Sequence, residues 1–407
     1  MKDEFDEPAD GEGAVLSLRV ADSISSVDAV RWDELATTRS GMSANPFVRH
    51  AFLRSLEDAG CVGERSGWLP QHLVLEDGRG EILAVAPAYL KSHSQGEYVF
   101  DQGWANAFER AGGRYYPKLQ LSAPFSPVSG PRFLVGSSDS ADGMRLAMAE
   151  AVKAYVAQTK ISSAHATFLE TSDLEALEGD DFLHRTDQQF HFVNRGYTTY
   201  DDFLETLASR KRKGLRKERR EALADGITIE RLSGASLNEA AWDAFFHFYM
   251  DTGSRKWGRP YLNRPFFSLI GERMADEIVL VMAKREGRYI AGALNLVGAD
   301  RIFGRYWGCS EEHAFLHFEV CYHQAIDYAI EHKLAVVEAG AQGEHKLARG
   351  YEPVTTHSAH YIAHAGLRDA VRSYLEHERR EVEATNEVLS EHTPFRRGER
   401  QDRADEN

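Results

Sequence analysis

A chain of 407 residues is too long for one ordinary hydrophobic core, so two domains are expected. With 48 basic against 63 acidic residues the formal net charge is −15, which excludes a surface that binds nucleic acid throughout. No apolar run approaches the roughly 18 residues of a membrane-spanning helix. Three cysteines make neither a disulfide framework nor a CxxC metal site, so a reducing, cytoplasmic location is expected.

The first residues, MKDEFDEPADGEG, are acidic and lack an apolar stretch; 1–13 reads as a disordered tail and not as a signal peptide. Residues 71–91, QHLVLEDGRGEILAVAPAYLK, form two apolar runs about a glycine turn, the pattern of a β-hairpin. A strand is expected at 131–136, a helix at 142–158 and a closing strand at 163–170. The same order then recurs, with a hairpin at 276–298, a strand at 301–308, a helix at 317–332 and a strand at 334–340. Repeated element order predicts a duplicated α+β domain. The first copy spans 14–190 and the second 191–370, followed by a C-terminal helix at 371–390 and a disordered tail at 391–407.

Between the copies lies SRKRKGLRKERREA (209–222), with eight basic and two acidic residues from Arg210 to Glu221. Leu207, Leu215, Ala222 and Leu223 give it a partial apolar stripe, as in a helix with one buried edge. Lys211, Arg212, Arg216 and Lys217 are candidate phosphate ligands; the competing reading is a solvated helix face.

In the helix at 317–332, Phe318, Tyr322, Ala325, Ile326 and Ala329 share one face, and Glu319, His323 and Asp327 another. The next strand sets Glu338 among apolar neighbours, where desolvation would raise its pKa towards that of a general base. GEHKLARGY follows, placing Glu344, His345, Lys346 and Arg349 in a loop at a strand's carboxyl end. Arg305 and Tyr306, on the strand before the helix, are further substrate-binding candidates. His317 and His323 stand six apart on different faces, which excludes a zincin-type metal pair. Cys321 reads as a buried, inert thiol. In the first copy, Tyr116, Lys118 and Arg132 are the candidate substrate ligands, with Ser126, Ser129 and Gly130 in the turn APFSPVSGPR. Arg255, Lys256, Trp257 and Tyr261 would form a further wall.

The runs GRYWGCSEEHAFLHFEVCYHQAI and EAGAQGEHKLARGYEP, with GEYVFD, YYPKL and PFSPVSGPR upstream, resemble the FemAB-like predicted N-acyltransferases over roughly residues 43–395. The resemblance implies tandem GNAT-like domains, mixed sheets flanked by helices, with an acceptor in the cleft between them. In the peptidoglycan-bridge relatives an aminoacyl group passes from aminoacyl-tRNA to an amine of a cell-wall precursor. A GNAT domain that uses acetyl-CoA carries Q/RxxGxG/A before its helix, whose backbone amides hold the pyrophosphate. Here the corresponding segment is GCSEEHAFLHFE, without a glycine pair. No tightly bound cofactor is expected, and the donor stays open between acyl-CoA and aminoacyl-tRNA.

The expected activity is therefore N-acyl or aminoacyl transfer to the amine of a small molecule or precursor. Glu338, Glu319 or His345 would act as base, and DNA would not be a partner. The alternative is a non-catalytic ligand-binding or docking protein on the same scaffold.

Overall fold

The computed structural model describes residues 15–37, 45–179, 181–256, 260–340 and 343–396, without the side chains of 254–256 and 344. The expected tail at 1–13, Trp257 and the side chains of Arg255, Lys256 and Glu344 lie outside the described residues.

Fourteen strands are found among the described residues: β1 (Ser17–Ala21), β2 (Trp68–Pro70), β3 (His72–Glu76), β4 (Ile82–Ala86), β5 (Ala88–Lys91), β6 (Lys118–Leu121), β7 (Ser163–Leu169), β8 (Phe182–Val193), β9 (Thr228–Leu232), β10 (Ile278–Arg285), β11 (Arg288–Val297), β12 (Arg301–Cys309), β13 (Val336–Glu338) and β14 (Glu352–Ile362). Strands β1, β3 and β4 make a small sheet, and the other eleven form one sheet in the order β2-β5-β6-β7-β14-β8-β13-β12-β11-β10-β9. The β10–β11 hairpin turns on Glu286 and Gly287, both at positive φ, which matches the twist of the strands it joins.

The two copies share a central unit, although the first-half hairpin β3–β4 lies in the small sheet while β10–β11 joins the large one. In each, a parallel strand pair (β6 with β7, β12 with β13) is bridged by a long helix, Ala141–Thr159 in the first and Leu316–Glu331 in the second. A parallel pair needs such a crossover because its strands run the same way. Strand β14 of the second copy lies between β7 and β8 of the first, so the copies interleave, and the expected division at 190/191 falls inside β8. These are two GNAT-like halves sharing one sheet. A shared core reinforces the join: Trp32, Phe47 and Phe52 pack with Trp242, Phe266, Phe267 and Phe303.

Several expected bounds change. Residues 131–136 form no strand; Leu134 makes only an isolated bridge to Val85, because Arg132 draws neighbouring carbonyls around itself. The C-terminal helix runs Ala365–Glu391. The chain beyond it stays packed, with Thr393 and Phe395 buried and Phe395 bridging to Leu207, so the tail expected from 391 does not begin there. The helix at 317–332 is found at Leu316–Glu331 but is wound as a π turn over Glu319–His323. Such turns insert a residue and are frequent at functional sites.

Candidate functional site

Strands β12 and β13 pair at only three positions, ending at Phe303 and Glu338, and then separate. Arg305 occupies the opening. Its Nη1 donates to the carbonyls of Gly304 (2.9 Å) and Glu338 (3.2 Å), its Nη2 to Oε2 of Glu338 (2.9 Å), and its Nε to Ser126 of the first half (2.8 Å). Arg301 reaches the other Glu338 oxygen at 3.2 Å. Glu338 is fully buried. Burial pushes its pKa up, but His191, Arg305 and Arg301 together hold it below the ordinary carboxylate value. The expectation of a raised pKa is therefore reversed: alternation along one strand displays the desolvation and hides the guanidinium groups of its neighbour.

Lys346 is buried on the following turn, donating from Nζ to the carbonyl of Gly340 at 2.7 Å. It has no carboxylate partner among the described residues. Burial, with Arg305 nearby, brings its pKa down to about 7. This lysine is thus poised to exchange a proton near neutrality, a property often found at functional sites. His345 beside it is exposed, hydrogen-bonded through Nε2 to Tyr322 Oη (2.9 Å) and packed on the rings of Phe318 and Tyr322.

The basic segment folds as a helix, Ser209–Ala222, with Leu215 and Ala222 buried. Its inner edge fits the polar face of the π turn. Arg219 binds Glu319 (2.9 Å) and Asp327 (2.6 Å), with its guanidinium 4.4 Å from the Tyr200 ring. Glu319 is fully buried in this tie and also accepts from Gln324. Its place is between two helices rather than at an open cleft. Arg349 is likewise engaged with Glu218.

Outward, the helix borders a pocket of about 550 Å³ lined by Arg210, Lys211, Lys217, Glu218, Phe315 and Ala348, among others. Phe315 sits at a left-handed backbone position before the crossover helix and is 38% exposed. Three separate sequence motifs therefore meet at one cavity. Of the four phosphate candidates, Lys211 and Lys217 line it. Arg212 is paired with Glu205, and Arg216 with Asp201 at 2.8 Å.

Of the first-half candidates, Lys118 and Arg132 are held in the interior and Tyr116 is half-buried. Lys118 is buried against Ser94 (2.9 Å), Glu97 (3.0 Å) and Asp101 (2.6 Å), and Tyr116 bonds Ser94. Arg132 is buried with its guanidinium on the carbonyls of Thr167, Gly130, Pro131 and Val128, so it braces its own turn. Tyr306 donates to the carbonyl of Phe125. With Arg305, these are interior contacts rather than open ligand positions. Cys321 is half-buried rather than buried. Among the described residues, no cluster of three or more metal-ligating side chains occurs, and no helix is long and apolar enough to cross a membrane.

Sequence reasoning missed Arg301, His191, Arg210, Glu218, Arg219 and Phe315. For Arg219 a signal existed: Glu319, His323 and Asp327 recur every four residues, a polar helix face that requires partners when buried.

Fold and site together describe two GNAT-like halves that share one sheet, with a basic pocket beside the turn that carries Lys346. The chain belongs to the FemAB-like family, described as peptidoglycan biosynthesis/recognition, whose profile matches residues 23–397. Among solved structures, that of FemX is similar at 14% identity and a TM-score of 0.53, covering 85% of this chain and 98% of that one. The C-terminal domain of a putative lysylphosphatidylglycerol synthetase from Agrobacterium fabrum is similar at 10% identity and a TM-score of 0.50, covering 80% and 90%. At these identities the likeness concerns the fold. No curated protein matches the sequence.

Proposed function

We propose that this protein transfers an acyl or aminoacyl group to the amine of a cell-wall precursor or related acceptor. In this reading the phosphate-bearing end of the donor lies in the basic-helix pocket, and Lys346 is the proton acceptor. The amine nitrogen attacks the donor carbonyl carbon and forms the C–N bond. Lys346 Nζ takes the proton released from nitrogen. The tetrahedral intermediate then expels the donor's oxygen or sulfur, which recovers a proton as the C–O or C–S bond breaks.

The observation that carries the reading is the burial of Lys346, its Nζ on the Gly340 carbonyl, on the turn that also lines the basic pocket; that burial brings its pKa down to about 7. It takes the base role considered for Glu338 and Glu319, because each of those is tied to guanidinium groups. His345, exposed on the same turn, is the competing base. Exposed Arg210, Lys213 and Arg220 continue the positive strip along the helix, which suits the longer phosphate chain of aminoacyl-tRNA better than that of acyl-CoA.

The same guanidinium ties favour one other reading, a ligand-binding protein without catalysis. Incubation with aminoacyl-tRNA or acyl-CoA and a panel of amine acceptors, followed by mass spectrometry, separates the two. Transfer lost in Lys346→Met and retained in His345→Ala supports the lysine. Ligand binding with no transfer to any acceptor supports the binding protein.

A further inference from the structure

One buried node joins the phosphate wall to the Lys346 turn. Glu218 lines the pocket from the basic helix. Its carboxylate accepts from Arg349 Nε (2.8 Å) and Nη2 (2.7 Å) and pairs with His323 Nε2 (2.8 Å). The other nitrogen of His323 meets Tyr200 Oη at 2.7 Å. The remaining Arg349 amino group donates to the carbonyl of His345 at 2.6 Å, and the guanidinium lies 3.3 Å from the centre of the Phe318 ring. Arg349 and His323 are buried, and their polar groups are engaged by the protein. Arg349 therefore acts on a ligand through what it holds.

We propose that Glu218 and Arg349 are positioning residues that transmit the presence of an anion at the basic helix to the Lys346 turn, an inference that rests on reading this pocket as the donor site. An anion on Arg210, Lys211 and Lys217 comes to lie beside the Glu218 carboxylate. Repulsion there strengthens the hold of Glu218 on Arg349 and His323, since these cationic or polar partners offset its charge. Arg349 in turn grips the carbonyl one residue before Lys346, so a shift of the guanidinium moves the lysine relative to Gly340. The groups that face Lys346 are Arg305 from β12, His191 from β8 and Cys321 from the π turn, and they set its surroundings from the other sides. The coupling needs a contiguous two-ended contact network, which these distances supply.

The test follows the Lys346 side chain by NMR on the full chain with lysine labelled at Cε, its signal assigned with Lys346→Arg. Its titration is recorded with and without inorganic pyrophosphate. In the wild type, pyrophosphate shifts the titration. In Glu218→Gln and in Arg349→Lys, more than half of that shift is lost while pyrophosphate still binds. An equal shift in wild type and both variants, as direct electrostatics through space would give, overturns the proposal; so does no shift in the wild type. Arg349→Lys keeps the charge, so a fold damaged by charge loss alone does not decide the result. The shift is readable wherever Lys346 titrates. A wild-type lysine titrating in the ordinary lysine range instead removes the catalytic reading, and the two failures stay distinct.

Discussion

Arg305 Nη2 lies 2.9 Å from Oε2 of Glu338, and Nη1 of the same guanidinium reaches the Glu338 backbone carbonyl at 3.2 Å. One side chain thus closes both the charge and the backbone at the mouth of a parallel strand pair. Through Ser126 it also ties the second half to the first.

This pair predicts a large cost for breaking it. Arg305→Met leaves a buried carboxylate with Arg301 as its one guanidinium partner beside His191, and removing one partner of a buried ion pair typically costs about 3–5 kcal/mol. Glu338→Leu combined with Arg305→Leu costs less than Arg305→Met alone, because no charge is left stranded. Urea denaturation of the three proteins checks the order.

The depressed pKa of Glu338 has a definite pH signature. Its stabilising contribution is present above the unfolded carboxylate pKa and is lost as pH falls through the lower folded value. Glu338→Gln therefore shows a shallower loss of stability on acidification than the wild type. Denaturation midpoints from neutral pH down into the carboxylate range measure this.

Lys346 gives the opposite limb. Its folded pKa, about 7, is below the ordinary lysine value of 10.5. The unfolded chain binds more protons between those values, so stability rises with pH across that window. Lys346→Met is accordingly more stable than wild type at pH 6, by an upper bound of roughly 5 kcal/mol, and its advantage shrinks as pH approaches 10. Thermal unfolding at a series of pH values tests the sign.

The basic helix carries two kinds of cation. Arg219→Ala strands the fully buried Glu319 and is expected to cost about 3–5 kcal/mol. Arg216→Ala removes an exposed, solvent-screened pair and is expected to cost far less. For binding the order reverses. Lys211→Gln with Lys217→Gln lowers the salt slope of RNA-oligonucleotide affinity by about 1.4, two phosphate contacts at about 0.7 each. Arg212→Gln with Arg216→Gln lowers it less, since neither lines the pocket and both are held closely by carboxylates, whereas the tie of Lys217 to Glu221 is longer at 3.5 Å. Fluorescence anisotropy over a salt series gives both slopes.

Much of the fold was legible because local signals agreed with it. The β10–β11 hairpin announced itself through REGR, whose Glu-Gly pair suits a tight turn, and the helix bearing Glu319 and His323 through its period. The strand expected at 131–136 failed because Arg132 looked like a strand residue but collects carbonyls from its own turn. The site was legible in its members and less so in their charge states. Lys346 was visible as a polar loop residue, yet its burial comes from packing beneath the sheet. Glu338 was visible as a carboxylate among apolar neighbours, yet Arg301 and Arg305 arrive from another strand more than thirty residues earlier. Partners across such separations are set by register, which single-strand patterns do not contain.

The most direct measurement is transfer from aminoacyl-tRNA to a peptidoglycan precursor by wild type and by Lys346→Arg, followed across pH by mass spectrometry of the acceptor. Arginine keeps the positive charge but cannot release its proton in this range. The wild-type rate is expected to rise through pH 7 as Lys346 deprotonates, and Lys346→Arg is expected to lose activity at least about a hundredfold, within the span of general-base effects. A Lys346→Arg enzyme with the wild-type rate and pH profile would contradict the account.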